Sequence, residues 1–567
     1  MPDAPPPRVE TAITGRDGRA GSWLARQSDA RIALLCFLFV FCVGFVARLY
    51  DIASMPFWLD EVTTVQRASL PFWDMVANSL ANHHLPSYFA LAQLFGSHGM
   101  TEAALRFPSA LFGALSCGVL FLIGRVLGGW RAGLVAGLLL ALSPLQVQYG
   151  QEARSYTFVV LMMAIGLLGF VQLAQDPRSA SLPRNDPQAR LRPWVVYTLG
   201  TLGGLNVLST AFFWLISANI GVAAILLLGR GFDRRRFLLR WFVTLGVIAL
   251  FTLPWFGAMD YFTHGEMTDA TNWVPQITWH SFLSVVGSLY FMRVSRLISF
   301  HVFPAAIPGF GVLVFVFGVL GLIYLRRGLK AAVRPRGLIL ALIIAAAAPP
   351  LLILLISIVK PLWMPRYLLW STVPFLVFVG LGINAVPRRW RDGALAALGV
   401  LALINLLPYY HAETKPRWDL AGLALAHEMH PGDIILGSDE LPVYMMNFFL
   451  QRHDTVIPAS NWTTDVFRAA QHLQDGGRVW VMFGRVGQAD RTPIKNFARI
   501  IKPLGKPVAE VHVGKLIRMK LYAGPPRPVH GPAAATVFAS DCDEHVTDHK
   551  QARAAHIAAS CDSLALQ

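Results

Sequence analysis

Asp60 and Glu61 stand side by side in the segment FWLDEVTTVQRA, about ten residues beyond the end of the first long apolar stretch. Ionised carboxylates at the mouth of a bilayer are expensive, so such a pair calls for a reason. A carboxylate held within hydrogen-bond reach of a hydroxyl can take its proton as that oxygen attacks another centre. Guanidinium groups do the complementary task, because their fixed fork of donors holds an anion in place. Arg154 in QEARSYTF and Arg366 in WMPRYLLW are the candidates for that role. Asp60 is the first choice as proton acceptor. Glu61 is the adjacent residue, and neighbouring residues on an extended or helical stretch point in different directions; it is read as orienting a neighbour or ligating a metal.

The elements that must position these residues are membrane spans. With 567 residues, 54% apolar and only 14% charged, and a mean hydropathy of +0.49, the chain has far more apolar surface than one soluble core can bury. That excludes a soluble globule and predicts a polytopic α-helical membrane protein. Stretches long enough to cross about 30 Å of hydrocarbon recur about eleven times. Their approximate limits are 32–50, 104–124, 132–148, 155–174, 194–210, 211–229, 238–257, 305–325, 337–358, 364–385 and 393–408. The net charge of +16 would suggest nucleic acid in a soluble protein, but here the arginines sit in short loops, so no nucleic-acid partner is expected. Basic clusters before the first span and after the second, fourth, sixth, eighth and tenth all fall on one side. By the positive-inside rule that side is cytoplasmic, together with residues 1–31. Asp60, Glu61, Arg154, Arg366 and everything after Pro408 then lie outside. The first span has no small-residue cleavage site after it and reads as an uncleaved helix of an inner or plasma membrane protein.

Two external loops are long. Residues 51–103 are too long for a link and too amphipathic for a span, and a crossing there would reverse the parity of every later basic loop; they are placed as interfacial helices. Residues 258–304 carry Trp273, Trp279, His280, Tyr290 and Arg293, and loops of this length usually act as lids or guides. After the membrane module at 32–408, residues 409–524 alternate helix and strand patterns, which predicts a small external α/β domain. Helices are expected at 418–430, 439–452, 464–475 and 490–500, and strands at PGDIILGS, RVWVMFG and 508–522. From 525 to 567 Pro, Ala, Ser and charge dominate, the composition of a disordered tail. Cys542 and Cys561 lie there, free to pair in an oxidising compartment or to stay apart.

Four external segments carry most of the remaining polar residues: FWLDEVTTVQRA, ANHHLPSYFAL, LSPLQVQYGQEARSYTFVVL and WMPRYLLWSTVPF. In order and spacing they resemble the GT-C membrane glycosyltransferases, in particular the protein O-mannosyltransferase and lipid A aminoarabinose transferase branch. The resemblance spans roughly residues 32–385 and continues weakly through KPRWDLAGLALAHEMHPGDIIL. It implies a sugar donor linked to a polyprenyl phosphate, held at the external face, and direct inverting transfer to a lipid, polysaccharide or protein acceptor, with membrane lipids as surroundings. It implies donor-phosphate contacts from Arg154 and Arg366, and substrate contacts from His83, Tyr88, Glu152, Tyr156 and Tyr367. A divalent metal stays open as a cofactor, since His83 and Glu61 have zinc-compatible donors. Many relatives carry a His followed by an aromatic in the mid-protein external turn; this chain has Ser209, Thr210 and Phe212 there.

Simpler readings stand beside these. Glu152 and Arg154 could form a structural pair, and Arg366 could extend its charge to the headgroups. A transporter or flippase would place ionisable residues in mid-span, whereas here they crowd the span ends. A non-catalytic envelope scaffold is the third alternative.

Overall fold

The structure, a computed structural model, describes residues 17–97, 99–263, 274, 276–292, 309–330, 335–438, 440–452, 461–483, 492–514 and 517–524. Trp273, Arg293, Cys542, Cys561 and the whole of 525–567 lie outside the described residues. Helix α1 (Asp17–Leu49) opens the bundle, and three ten-residue helices follow: α2 (Leu59–Ala68), α3 (Phe72–Ala81) and α4 (Ser87–Gly96). Each is about 15 Å long, half of what the hydrocarbon needs. Helix α5 (Glu102–Gly128) returns through the bundle. Helices α6 (Trp130–Ala141) and α7 (Pro144–Gly150) are bent against each other by 61°. The sequence dictates that break, because Pro144 has no N–H to give and forces Ser143 into an extended conformation (φ −69°, ψ 121°).

Helix α8 (Tyr156–Gln175), the one-turn α9 (Pro177–Ser181) and α10 (Arg192–Leu205) come next, then α11 (Phe212–Leu228), α12 (Arg234–Phe262) and α13 (Trp279–Tyr290). The membrane module closes with α14 (Phe310–Lys330), α15 (Arg336–Ile356), the short α16 (Pro365–Leu368), α17 (Thr372–Gly382) and α18 (Arg391–Tyr410). Among the described residues nine helices are long and apolar enough to cross a membrane, and the bent pair α6–α7 makes a tenth. The stretch expected as a span at 194–210 folds as α10, whose 14 residues reach only about 21 Å. It packs against α8 at backbone distance: a Cβ on Gly200 would strike the backbone of Met162 and Gly166. Such small-residue contact replaces the hydrophobic driving force that lipid removes.

The C-terminal domain contains α19 (Trp418–Glu428), α20 (Glu440–Arg452), α21 (Val466–Gln474) and α22 (Thr492–Ile500) around a five-stranded sheet ordered β2-β1-β3-β5-β4. Strands β1 (Ile434–Gly437), β2 (Trp462–Thr463) and β3 (Arg478–Phe483) are parallel. Strands β4 (Ala509–Val513) and β5 (Ile517–Ala523) run antiparallel beside β3. The single strand expected over 508–522 is thus two, split where Gly514 takes a φ of 59° that ends β4. One hydrophobic core is shared between this domain and segment 51–101: Phe57, Val62 and Val65 pack with Trp418, Met446 and Trp480.

Candidate active site

Helix α2 begins at Trp58, whose backbone N–H donates to the Glu61 Oε2 at 3.3 Å, the reach-back of an acidic residue in a first helical turn. Residues 60 and 61 diverge by about 100° around the helix, so the two carboxylates enter different surroundings.

Glu61 faces inward and is fully buried. Its Oε1 accepts from Arg106 Nε at 2.7 Å and from the Ala153 N–H at 2.8 Å. Its Oε2 accepts from Arg106 Nη2 at 2.8 Å and Lys415 Nζ at 2.9 Å. Burial pushes this carboxyl up, but the Arg106 and Lys415 charges outweigh it and hold it at about 2. Arg106 also donates to the carbonyls of Ile52, Met55 and Pro56, so it fixes the loop that leads into α2. Both oxygens of Glu61 are therefore taken by cations. A divalent metal there would face two positive charges, and the pair Glu61 and His83 does not fit one. Among the described residues no three His, Cys, Asp or Glu side chains form a metal-holding group.

Asp60 faces the other way. Its Oδ2 accepts from Arg366 Nη1 at 2.6 Å, with Arg366 7% and Asp60 20% exposed. Arg154 Nη1 donates to the Asp60 backbone carbonyl at 3.2 Å. Burial raises the Asp60 carboxyl, and the guanidinium groups of Arg366 and Arg154 more than reverse that, leaving it below the ordinary carboxylate range. The Arg366 guanidinium lies 5.3 Å from the Trp58 ring centroid, which fixes its plane. Segment 363–371, which carries Arg366, is braced from outside by α13: Trp363 stacks on Phe282 at 5.5 Å, and the Tyr290 hydroxyl meets Ser371 Oγ at 2.6 Å.

The remaining residues expected at the site surround this pair in different ways. Tyr156 is buried edge-on to Tyr149 at 5.1 Å, and the Arg154 guanidinium lies 5.9 Å from its ring. Tyr88 is buried and its hydroxyl meets Ser109 Oγ at 2.9 Å, while Ser109 donates to the Arg154 carbonyl at 3.0 Å. Tyr88 thereby supports the arginine from behind. Tyr367 is half-buried, and its carbonyl accepts from Thr210 Oγ1 at 3.2 Å. Glu152 is fully buried, with Gln148 Nε2 donating to its Oε1 at 3.3 Å. Burial lifts its carboxyl to about 7; Lys415 and Arg366 oppose the rise, and Glu61 and Asp60 add to it.

His83 sits in the turn between α3 and α4 with φ 57°. The neighbouring His84 lies within electrostatic reach of Asp60, and its Nδ1–H donates to the Asn82 carbonyl at 2.6 Å. Burial and the charges of Arg154 and Arg67 push His84 down to about 3, so it is neutral. Arg106 and Lys415 were not among the expected site residues. Arg106 has a legible signal, because an arginine near the start of an apolar helix, at the end opposite the basic loops, departs from their pattern.

Around Asp60 and Glu61 the buried cations Arg67, Arg106, Arg366 and Lys415 and the partly buried Arg154 outnumber the carboxylates Asp60, Glu61 and Glu152 by two even with all three ionised. A site with that balance attracts an anion.

Residues 84–256 match the family model described as dolichyl-phosphate-mannose-protein mannosyltransferase. The fold is similar to that of ArnT from Cupriavidus metallidurans in the apo state, at 14% identity and a TM-score of 0.50 over 90% of this chain and 100% of that one. The chain has an ArnT-like fold. Further solved structures resemble it less closely. ArnT bound to undecaprenyl phosphate is 13% identical with a TM-score of 0.47, covering 87% of this chain and 99% of that one. The oligosaccharyltransferase of Archaeoglobus fulgidus in the apo form is 16% identical with a TM-score of 0.45, covering 70% and 58%. No curated protein sequence matches the chain.

Proposed function

We propose that the protein moves a sugar from a polyprenyl-phosphate-linked donor to an acceptor at the external membrane face by direct inverting displacement, with Asp60 as the general base. The observation that carries this reading is the juxtaposition of Asp60 with Arg366 and Arg154, one proton acceptor flanked by two anion holders. The excess of buried positive charge suits a phosphate, and the matched family is described by a lipid-phosphate sugar donor.

In the transfer, the acceptor oxygen forms its bond to the anomeric carbon as its proton passes to the Asp60 carboxylate. The bond between that carbon and the phosphate oxygen breaks, and the electron pair leaves with the lipid phosphate. The growing charge there is met by guanidinium donors already in place, which need no reorganisation at the moment of reaction. Arg366 serves both partners. As a phosphate oxygen takes up part of its guanidinium, Asp60 loses part of the interaction that depresses its basicity and becomes a better proton acceptor. Glu61 holds the machinery in place, with its carboxylate committed to Arg106, Lys415 and the Ala153 amide. The external α/β domain at 409–524 covers the first loop from above, and the basic loops at the opposite end of the bundle face the cytoplasm of an inner-membrane protein.

Release of undecaprenyl phosphate from radiolabelled undecaprenyl-phosphate sugars by the purified protein tests the reading. Asp60→Asn, which cannot take the proton, is expected to lose about 100-fold or more of the turnover while still binding the lipid. Wild-type turnover in that variant removes Asp60 from the role.

A further inference from the structure

Glu61 is a node where four chain segments meet. Its oxygens receive Trp58 at the start of α2, Arg106 on α5, Ala153 in the turn between α7 and α8, and Lys415. Lys415 lies five residues after the end of α18 and three before α19, on the short connection from the membrane module to the external domain. Its side chain is only 4% exposed, and its ammonium donates to Glu61 Oε2 at 2.9 Å and to the Gln151 carbonyl at 3.2 Å. Ordering and desolvating a flexible ammonium is costly, and a surface lysine on such a connection incurs neither cost.

The residues tied at this node are the immediate chain neighbours of the reacting pair. Glu61 directly follows Asp60, and Ala153 adjoins Arg154. Holding Glu61 against the Ala153 amide therefore sets where Arg154 stands relative to Asp60, whose carbonyl it reaches at 3.2 Å. A second, independent contact confirms that the external domain presses on the same helix: α20 lies on α2, where the Tyr444 hydroxyl donates to Gln66 Oε1, and the two share one hydrophobic core.

We propose that Lys415 is a positioning residue that couples the seating of the external domain to the alignment of Asp60 with Arg154, acting through Glu61. Its effect on rate rests on the transfer reading above; its effect on structure does not. Lys415→Met keeps the apolar stem and removes the charge, whereas Lys415→Arg keeps the charge.

The test compares full-length wild type, both variants and the double variant Lys415→Met/Glu61→Gln in lipid nanodiscs, by turnover of undecaprenyl-phosphate sugars, binding of undecaprenyl phosphate, and amide hydrogen exchange. Lys415→Met is expected to lower kcat by up to about 100-fold, the scale of a small misplacement of reacting groups, with undecaprenyl phosphate still bound. Exchange is expected to rise in residues 56–68 and 151–156 and to stay at the wild-type level in the bundle. Lys415→Arg is expected to recover most of the rate. The double variant, in which no carboxylate is left without its ammonium but Arg106 loses its counter-charge, is expected to keep the fold at reduced stability and to remain slow. Wild-type rate and exchange in the double variant or in Lys415→Met overturn the proposal. So does a loss in Lys415→Met that spreads through the whole bundle and abolishes lipid binding, the signature of a merely structural lysine. If the wild type releases lipid phosphate from no donor, the transfer reading fails, and the exchange pattern alone still decides the coupling.

Discussion

Two adjacent acidic residues do opposite work because a helix turns by about 100° between them. Asp60 has one strong partner and keeps partial exposure, while Glu61 is enclosed by two cations and an amide. Their substitutions should therefore separate. Glu61→Gln strips two buried cations of their counter-charge and should destabilise the fold by about 3 kcal/mol or more at neutral pH. Its pH dependence follows from the depressed value. A carboxyl at about 2 in the folded state, against 4.5 ordinarily, contributes stability that is complete above 4.5 and disappears as the pH falls toward 2. Thermal unfolding midpoints of wild type and Glu61→Gln measured from pH 7 down to 3 should converge as acid is added. A constant gap would mean that Glu61 is not held ionised in the fold. Arg366→Lys tests the other carboxylate's partner. A lysine keeps a charge but loses the planar fork over Trp58, so lipid-phosphate binding should weaken by about tenfold, as measured by titration with undecaprenyl phosphate.

The elements behave as rigid mounts whose joints are set by glycine and proline. Gly200 lets α10 approach α8 so closely that any side chain must push backbone against backbone. Gly200→Leu should cost at least about 3 kcal/mol, the upper range for overpacking, and appear as a lowered unfolding midpoint with reduced yield in the membrane. An unchanged midpoint would show that the two helices are free to separate. The break at Ser143–Pro144 has a different purpose. It turns α7 so that Tyr149 and Gln151 reach the external end of the site, where Gln151 binds the carbonyls of Arg48 and Tyr50 and receives the Tyr409 hydroxyl. At this scale the sequence was readable as apolar length but not as path. A run from 132 to 148 has the composition of one span, and only the absent N–H of Pro144 tells that it bends.

As a whole molecule the protein is a helical membrane module whose segment 51–101 is sandwiched between the bundle and the C-terminal domain. The orientation proposed from the basic loops has a direct check. In intact cells a membrane-impermeant thiol reagent should label a cysteine introduced at Phe467, which is 88% exposed in the external domain, and should leave one at Arg389 unlabelled until the membrane is opened. The reverse pattern would invert the molecule and move Asp60 to the cytoplasmic face.

The sequence by itself determined the class of molecule. Apolar runs of bilayer length, basic loops of constant parity and the order of the acidic and arginine motifs are local quantities, and each is a direct response to the solvent on either side of the membrane. They also singled out Asp60, Arg154 and Arg366 before any geometry was known. Only the tertiary structure decided what those residues face. Arg106 and Lys415 stand 45 and 354 residues from Glu61 in the chain, and their meeting follows from packing of α5 and of the external domain, which no periodicity encodes. That His84 comes within reach of Asp60 likewise depends on the positive φ of the α3–α4 turn. Charge in a chain announces that a polar site exists; burial and proximity, which arise only on folding, assign each charge its partner.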